Sequence, residues 1–147
     1  MQLSRQADYA LRMVLDLSAE PQPQGRIKDI AQRQGIPEPY LAKVVQVLAR
    51  AGLVHTVRGP RGGVRLAHSP QNITLRQVVE AAEGPLALTR CLAWAGECPQ
   101  VPRCSARRFW GRLQETMVAE MEAVTMADLV GELPPVRQPE PVSATAS

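Results

Sequence analysis

No stretch of this 147-residue chain approaches the ~20 consecutive apolar residues that a membrane-crossing helix requires. Its opening residues, Met1-Gln2-Leu3-Ser4-Arg5-Gln6-Ala7-Asp8, carry charge where a secretory leader needs an apolar core. The expectation is a cytoplasmic protein with no membrane partner. Cysteine is scarce as well: there are three, all between Cys91 and Cys104, too few and too odd in number for a disulfide framework. Acidic residues are nearly missing from one long segment. Between Arg26 and Arg76 only Asp29 and Glu38 stand against nine basic residues, and from residue 77 onward the basic excess disappears. Positive charge confined to one half of a chain points to a polyanion that meets that half alone. Nor does any pattern supply a paired general acid and base or a cofactor pocket, so the chain does not read as an enzyme.

With 45% apolar residues there is enough material for one compact core plus appendages. Leu3, Ala7, Ala10, Leu11, Val14, Leu15 and Leu17 recur at helical spacing, which predicts a first helix over 3–19. Pro21-Gln22-Pro23-Gln24-Gly25 cannot continue it. A second, short helix is expected over about 27–34, ended by Gly35, and a third opens at Pro37 or Pro39 and stops at Gly52. Two short helices around a glycine-containing turn form a helix-turn-helix. Strand-forming residues at 53–57 and 64–67, separated by Gly59-Pro60-Arg61-Gly62-Gly63, predict a β-hairpin with a basic tip, a wing. Thr74 and Gln77 form a capping box ahead of a fourth helix that Gly84-Pro85 terminates.

Residues 86–104 show no period and read as a long loop, a kind of segment usually kept for function. From Ser105 the stripe Ala106, Phe109, Trp110, Leu113, Met117, Met121 and Val124 predicts a helix of about 20 residues, roughly 30 Å long. A domain this small cannot cover all of it, so Phe109, Trp110, Leu113, Met117 and Met121 are expected to meet a second copy. The resulting division is a winged helix-turn-helix domain over 1–84, a cysteine loop over 85–104, a dimerisation helix and C-terminal helix over 105–133, and a disordered tail over 134–147. The fold class is mainly α with a small β-hairpin.

In a helix-turn-helix the second helix leads into the major groove with its N-terminal residues, here Glu38, Pro39, Tyr40 and Lys43. Tyr40 can bond a phosphate or stack, Lys43 can reach a phosphate or guanine edge, and Glu38 can accept from a cytosine amine. In the wing, Arg58, Gly59, Arg61 and Arg65 suit phosphates or a narrow minor groove. Any one of these arginines taken alone is as well explained as surface charge; the hairpin, its position after three helices and the concentration of charge together favour double-stranded operator DNA.

The thiols are spaced Cys91-x6-Cys98-x5-Cys104. Structural zinc sites favour closely spaced cysteine pairs, which are absent. Wider loops can wrap an iron–sulfur cluster, with thiolates and sometimes a nitrogen or oxygen donor as ligands. Buried structural cysteines and a thiol switch are the competing readings. Asp8 is an oxygen candidate for a fourth ligand, and its plain reading is a first-turn acid favoured by the helix dipole. His55 and His68 lie on or beside the wing, where packing or surface roles suit them better.

Asp8-Tyr9-Ala10-Leu11-Arg12, the wing text Val57-Arg58-Gly59-Pro60-Arg61-Gly62-Gly63, the three-cysteine loop and Thr125-Met126-Ala127-Asp128-Leu129-Val130 together resemble the Rrf2 family of winged-helix regulators, of the IscR and NsrR type. The resemblance covers roughly residues 1–133. It implies a homodimer whose long helices cross at the interface, and a 2Fe-2S or 4Fe-4S cluster that modulates operator binding by a repressor sensing nitric oxide, iron or redox state. Members of the IscR type place a histidine three residues after the last cysteine, where this chain has Arg107. Members of the NsrR type can use an aspartate of the first helix, which Asp8 matches, serving the cluster of the opposite protomer.

Overall fold

The computed structural model describes residues 2–60, 62–94, 96, 98–100 and 103–131. Its elements are α1 (Arg5–Ala19), β1 (Gln24–Gly25), α2 (Ile27–Gln34), α3 (Glu38–Arg50), β2 (Val54–Val57), β3 (Gly63–Leu66), α4 (Leu75–Glu83), α5 (Arg90–Ala93), α6 (Ser105–Ala123) and α7 (Met126–Val130). Helix α1 starts two residues later than its periodicity predicts. The Ser4 hydroxyl accepts from the Ala7 amide and caps the helix, leaving Leu3 outside and exposed. Gly35 ends α2 in the left-handed conformation, at φ 63°, and its one amide N–H is shared between the Ala31 and Gln32 carbonyls. Ile36 fills the corner beneath it.

The sheet departs from the expected hairpin. Beyond the antiparallel pair β2–β3, the two residues of β1 add a third strand in the order β1-β3-β2, pairing Gln24 with Arg65 and Gly25 with Val64. This strand has no local pattern to announce it, because its pairing is made entirely across some forty residues of sequence. A second departure lies in the cysteine segment, where the single-turn helix α5 interrupts what the sequence offers as a loop.

The core is one contiguous cluster built on α1. Met13, Leu17, Ile30, Leu41, Leu48, Ile73 and Met126 are fully buried in it, each contributing about 1.5–3 kcal/mol by removal from water. The capping box at Thr74 and Gln77 forms as expected. A second one, Thr125 with Asp128, opens α7. The two caps lie side by side, Thr74 bridging to Thr125, with the Leu75 amide donating to the Val124 carbonyl and the Met126 amide to Ile73. The chain thus leaves the core after α4 and returns to it at α7. Helix α6, between them, has no fully buried residue.

One polar cluster locks the helix-turn-helix onto α1. The Asp16 side chain, 7% exposed, accepts from Arg33 at 2.7 and 3.2 Å and from Gln34 at 2.9 Å. Burial pushes its carboxyl pKa up, but the hydrogen bonds from Arg33 and Gln34 and the Arg33 charge outweigh that and leave it lowered. A carboxylate with a depressed folded-state pKa stabilises fully above its ordinary value near 4, and the contribution is lost as pH falls through the folded value. Asp16→Ala is expected to cost about 2 kcal/mol at neutral pH. Urea unfolding from pH 7 to pH 3 checks this: the gap between wild type and variant should shrink on the acid side.

Candidate nucleic-acid interface and cysteine loop

Helix α3 turns Leu41, Val44, Val45 and Leu48 into the core, which leaves Glu38, Pro39 and Lys43 exposed at its leading end. Tyr40 is held between the two settings. It is half-buried, its ring standing edge-on to Tyr9 of α1 at 5.0 Å and 87°, so α1 fixes its orientation. The same exposed stripe continues one and two turns on through Gln46 and Arg50. The signal for both was present in the sequence, since they follow Lys43 at three and seven residues.

In the wing, Arg58, Gly59 and Pro60 are exposed, and Gly59 adopts a φ of 107° that allows the Gly62 amide to close on its carbonyl at 2.8 Å. Arg61 lies outside the described residues. Arg65 stands on the outer face of β3 between Gln24 and His55, its cross-strand partners, while Val64 and Leu66 face the core. Arg26, at the head of α2, donates to the Pro60 carbonyl at 2.7 Å and so ties the wing tip to the helix-turn-helix. That contact joins two loops and had no sequence signal beyond charge. Glu38, Pro39, Lys43, Gln46, Arg50, Arg58 and Arg65 are thus exposed on the recognition helix and wing.

The three cysteines are free and half-buried. Cys91 lies in α5 with its sulfur 3.1 Å from the Thr89 hydroxyl, Cys98 follows in the connecting stretch, and Cys104 is the N-cap residue of α6. Among the described residues no three His, Cys, Asp or Glu side chains converge closely enough to hold a metal ion. Asp8 is engaged instead with Arg12, one turn on, at 2.8 Å, and Arg12 also lies over the Tyr9 ring. His55 and His68 are exposed in the sheet region.

The donor types at the thiols suit an anionic, sulfur-bound group, whereas their arrangement within one chain does not bring three of them together. None of the three is in a disulfide, Cys104 sits where the unpaired amides of a helix start favour negative charge, and the first turn of α6 holds no acid. In that turn the Arg107 Nε is buried without a hydrogen-bond partner.

On α6 the apolar stripe is uncovered within one chain. Phe109 and Leu113 are 57% and 41% exposed, Phe109 meets Trp110 edge-on at 5.5 Å, and Trp110, Met117 and Met121 are half-buried. No helix is long and apolar enough to cross a membrane among the described residues.

Comparison with known proteins gives a consistent result. The Rrf2 family, described as iron-dependent transcriptional regulator, matches residues 3–132. The chain is 39% identical over 132 residues to the HTH-type transcriptional regulator NsrR of Geobacillus kaustophilus, covering 88% of this chain and 90% of that one. Among solved structures, the global cysteine regulator CymR of B. subtilis superposes with a TM-score of 0.74 at 26% identity, over 88% of this chain and 96% of the other. T. potens IscR does so with a TM-score of 0.69 at 26% identity, over 95% and 93%.

Gly63 generates a structural prediction. A Cβ there would collide with the Gly25 carbonyl oxygen across the β1–β3 pair; the oxygen is main chain and the Cβ position is fixed by the backbone, so neither can swing away. Gly63→Ala is expected to cost about 1–3 kcal/mol, seen as a lowered urea midpoint, with amide resonances of residues 24–26 and 57–66 shifted more than those of α4.

Proposed function

We propose, from the premise that this chain belongs to the Rrf2 family of transcriptional regulators, that it is a homodimeric repressor whose grip on operator DNA is set by an iron–sulfur cluster at Cys91, Cys98 and Cys104. Its relatives are DNA-binding regulators and not enzymes. The observation that carries the reading is the presence, in one chain, of a basic recognition helix and wing together with three cysteines free of disulfides, in α5, in the stretch after it and at the N-cap of α6.

DNA contact is assigned to the exposed stripe of α3 and to the wing. Glu38, Pro39, Tyr40 and Lys43 lead into the major groove, and Arg58, Gly59, Arg61 and Arg65 meet phosphates or the minor groove. The dimer is assigned to α6, whose stripe of Phe109, Trp110, Leu113, Met117 and Met121 has apolar area to bury against a second copy. Two recognition helices then address half-sites about one helical turn apart.

When bound, a cluster supplies a crosslink between thiolates that changes with oxidation, nitric oxide or iron supply. The residues of this chain convert that into geometry. Cys91 and Cys104 lie on separate pieces of backbone, so a group that held both would fix α5 against the first turn of α6. Helix α6 is joined to α4 by Arg76 with Glu122 at 3.6 Å. Helix α4 is joined to α1 by Gln6 donating to the Ala82 carbonyl and the Ser4 amide to Glu83, and α1 carries the Tyr9 ring that steadies Tyr40. Asp8, here paired with Arg12, would be the oxygen donor for a fourth position, toward the thiols of the opposite protomer.

A second reading has its own support: CymR, described as a cysteine regulator, shares the fold, and three free thiols suffice for a switch without metal. Iron and sulfide analysis of protein purified without oxygen separates the two. The cluster reading expects brown protein whose visible absorbance and cluster-dependent operator affinity are both abolished by Cys98→Ala; colourless wild type after reconstitution refutes it. On duplexes selected from a random pool, log affinity should fall with log salt at a slope near −7, for about eight neutralised phosphates. Arg65→Ala should make that slope shallower by about 2, one phosphate per protomer.

A further inference from the structure

We propose that the outer face of the sheet is a further phosphate-binding surface of the DNA-reading head, on which His55 joins Arg65 and takes up a proton as the duplex backbone settles there. This assignment rests on the DNA-binding reading above and adds to it a contact outside α3 and the wing tip.

The three-stranded sheet carries it. Gln24 pairs with Arg65 and Arg65 with His55, so β1, β3 and β2 set these side chains in one row, neighbours about 5 Å apart at Cβ. Val64 and Leu66, on either side of Arg65, are buried, which turns the row away from the core. All three residues are exposed. With Gln22 they line a hollow of about 390 Å³ whose remaining lining carries no charge. Strand β2 leads from this row to the wing: His55 precedes Arg58 by three residues, roughly 10 Å of strand. A DNA strand advances about 3.4 Å per phosphate along its axis, so a backbone that passes the wing tip reaches the row within a few nucleotides.

Charge favours an anion on this face. No acid lies between Glu38 and Glu80 in the sequence, and Arg65 and His55 enter no ion pair among the described residues. The charged groups beside the row belong to the adjoining hollow, which shares Gln22 and Gln24 and holds Glu20, Arg26, Asp29 and Arg33. Of these, Arg33 is engaged by Asp16 and Arg26 by the Pro60 carbonyl. Arg65 is permanently charged, and a protonated imidazole offers two N–H donors where the neutral ring offers one. A phosphate brought against Arg65 favours the charged form of the imidazole opposite. Proton uptake and DNA binding are therefore linked in one direction, with acid strengthening the grip. His68 is also exposed but follows β3, two residues past its end and outside the row, which makes it the control.

The test follows the fluorescence anisotropy of a selected operator duplex with the full chain, prepared without oxygen, from pH 6 to pH 8 at fixed ionic strength. Wild type, His55→Gln, His55→Lys and His68→Gln are compared. Wild-type affinity is expected to fall several-fold across that range. His55→Gln should approach wild type at pH 8 and lack the rise toward pH 6, where its dependence of log affinity on log salt should be shallower by about 2, one phosphate per protomer. His55→Lys should bind tightly throughout, and His68→Gln should follow wild type. Wild-type affinity that ignores pH, a His55→Gln that keeps the dependence, a His68→Gln that loses it, or equal salt slopes at pH 6 overturns the assignment and leaves the DNA-binding reading intact. A His55→Lys weakened at every pH overturns it in favour of a packing role. Wild type that selects no duplex at all overturns both readings together.

Discussion

The helices of the DNA-binding body are referred to one surface, the apolar face of α1. Ala7, Ala10, Met13, Val14 and Leu17 are all inaccessible to water, and α2, α3, α4, α7 and β3 each pack against this helix. The two alanines on that face let neighbouring backbone approach closely, while Met13 and Leu17 fill the space where α1 meets the helix-turn-helix. A close-packed interior transmits displacement instead of absorbing it. The angle of the recognition helix is therefore inseparable from the position of α1.

The polar contacts sit around that surface and give it direction. Asp16, gripped by Arg33 and Gln34, pins α2 to one end of α1, and the Tyr9–Tyr40 pair sets the leading end of α3 near the other. Ser4 and Gln6 attach the start of α1 to the end of α4. The cysteine segment joins this frame through α6, which has no deeply buried residue and is held by α4, α5 and its own ends. The molecule thus pairs a firm reading head with a lever that is weakly seated within a single chain.

What could be read from the sequence was whatever local chemistry dictates. Gly35 had to adopt a left-handed turn, Thr74 and Gln77 had to cap a helix, and the valines and leucines of α3 had to point one way. The third strand escaped because two residues, Gln24 and Gly25, carry no periodicity, and only the distant β3 makes them a strand. Helix α5 escaped because a single turn among prolines and glycines has no amphipathic signature. At the candidate site the exposed residues of the recognition helix and wing followed from pattern and charge. Arg26 over the wing and the seating of Arg107 did not, since both depend on which loops the fold brings together. Asp8 was visible as a first-turn acid, whereas its engagement with Arg12 is a matter of rotamer choice.

The return of the chain at Met126 bears on how the protein is made. Its side chain completes a core otherwise assembled from residues that precede position 80, and the paired caps at Thr74 and Thr125 clamp that closure. On the ribosome the winged-helix portion emerges well before its last hydrophobic plug, with the cysteine segment and all of α6 translated in between at some 5–20 residues per second. The nascent polypeptide accordingly spends seconds with an open seam beneath α1. Maturation of the reading head is thereby deferred until the segment that carries its thiols has been synthesised.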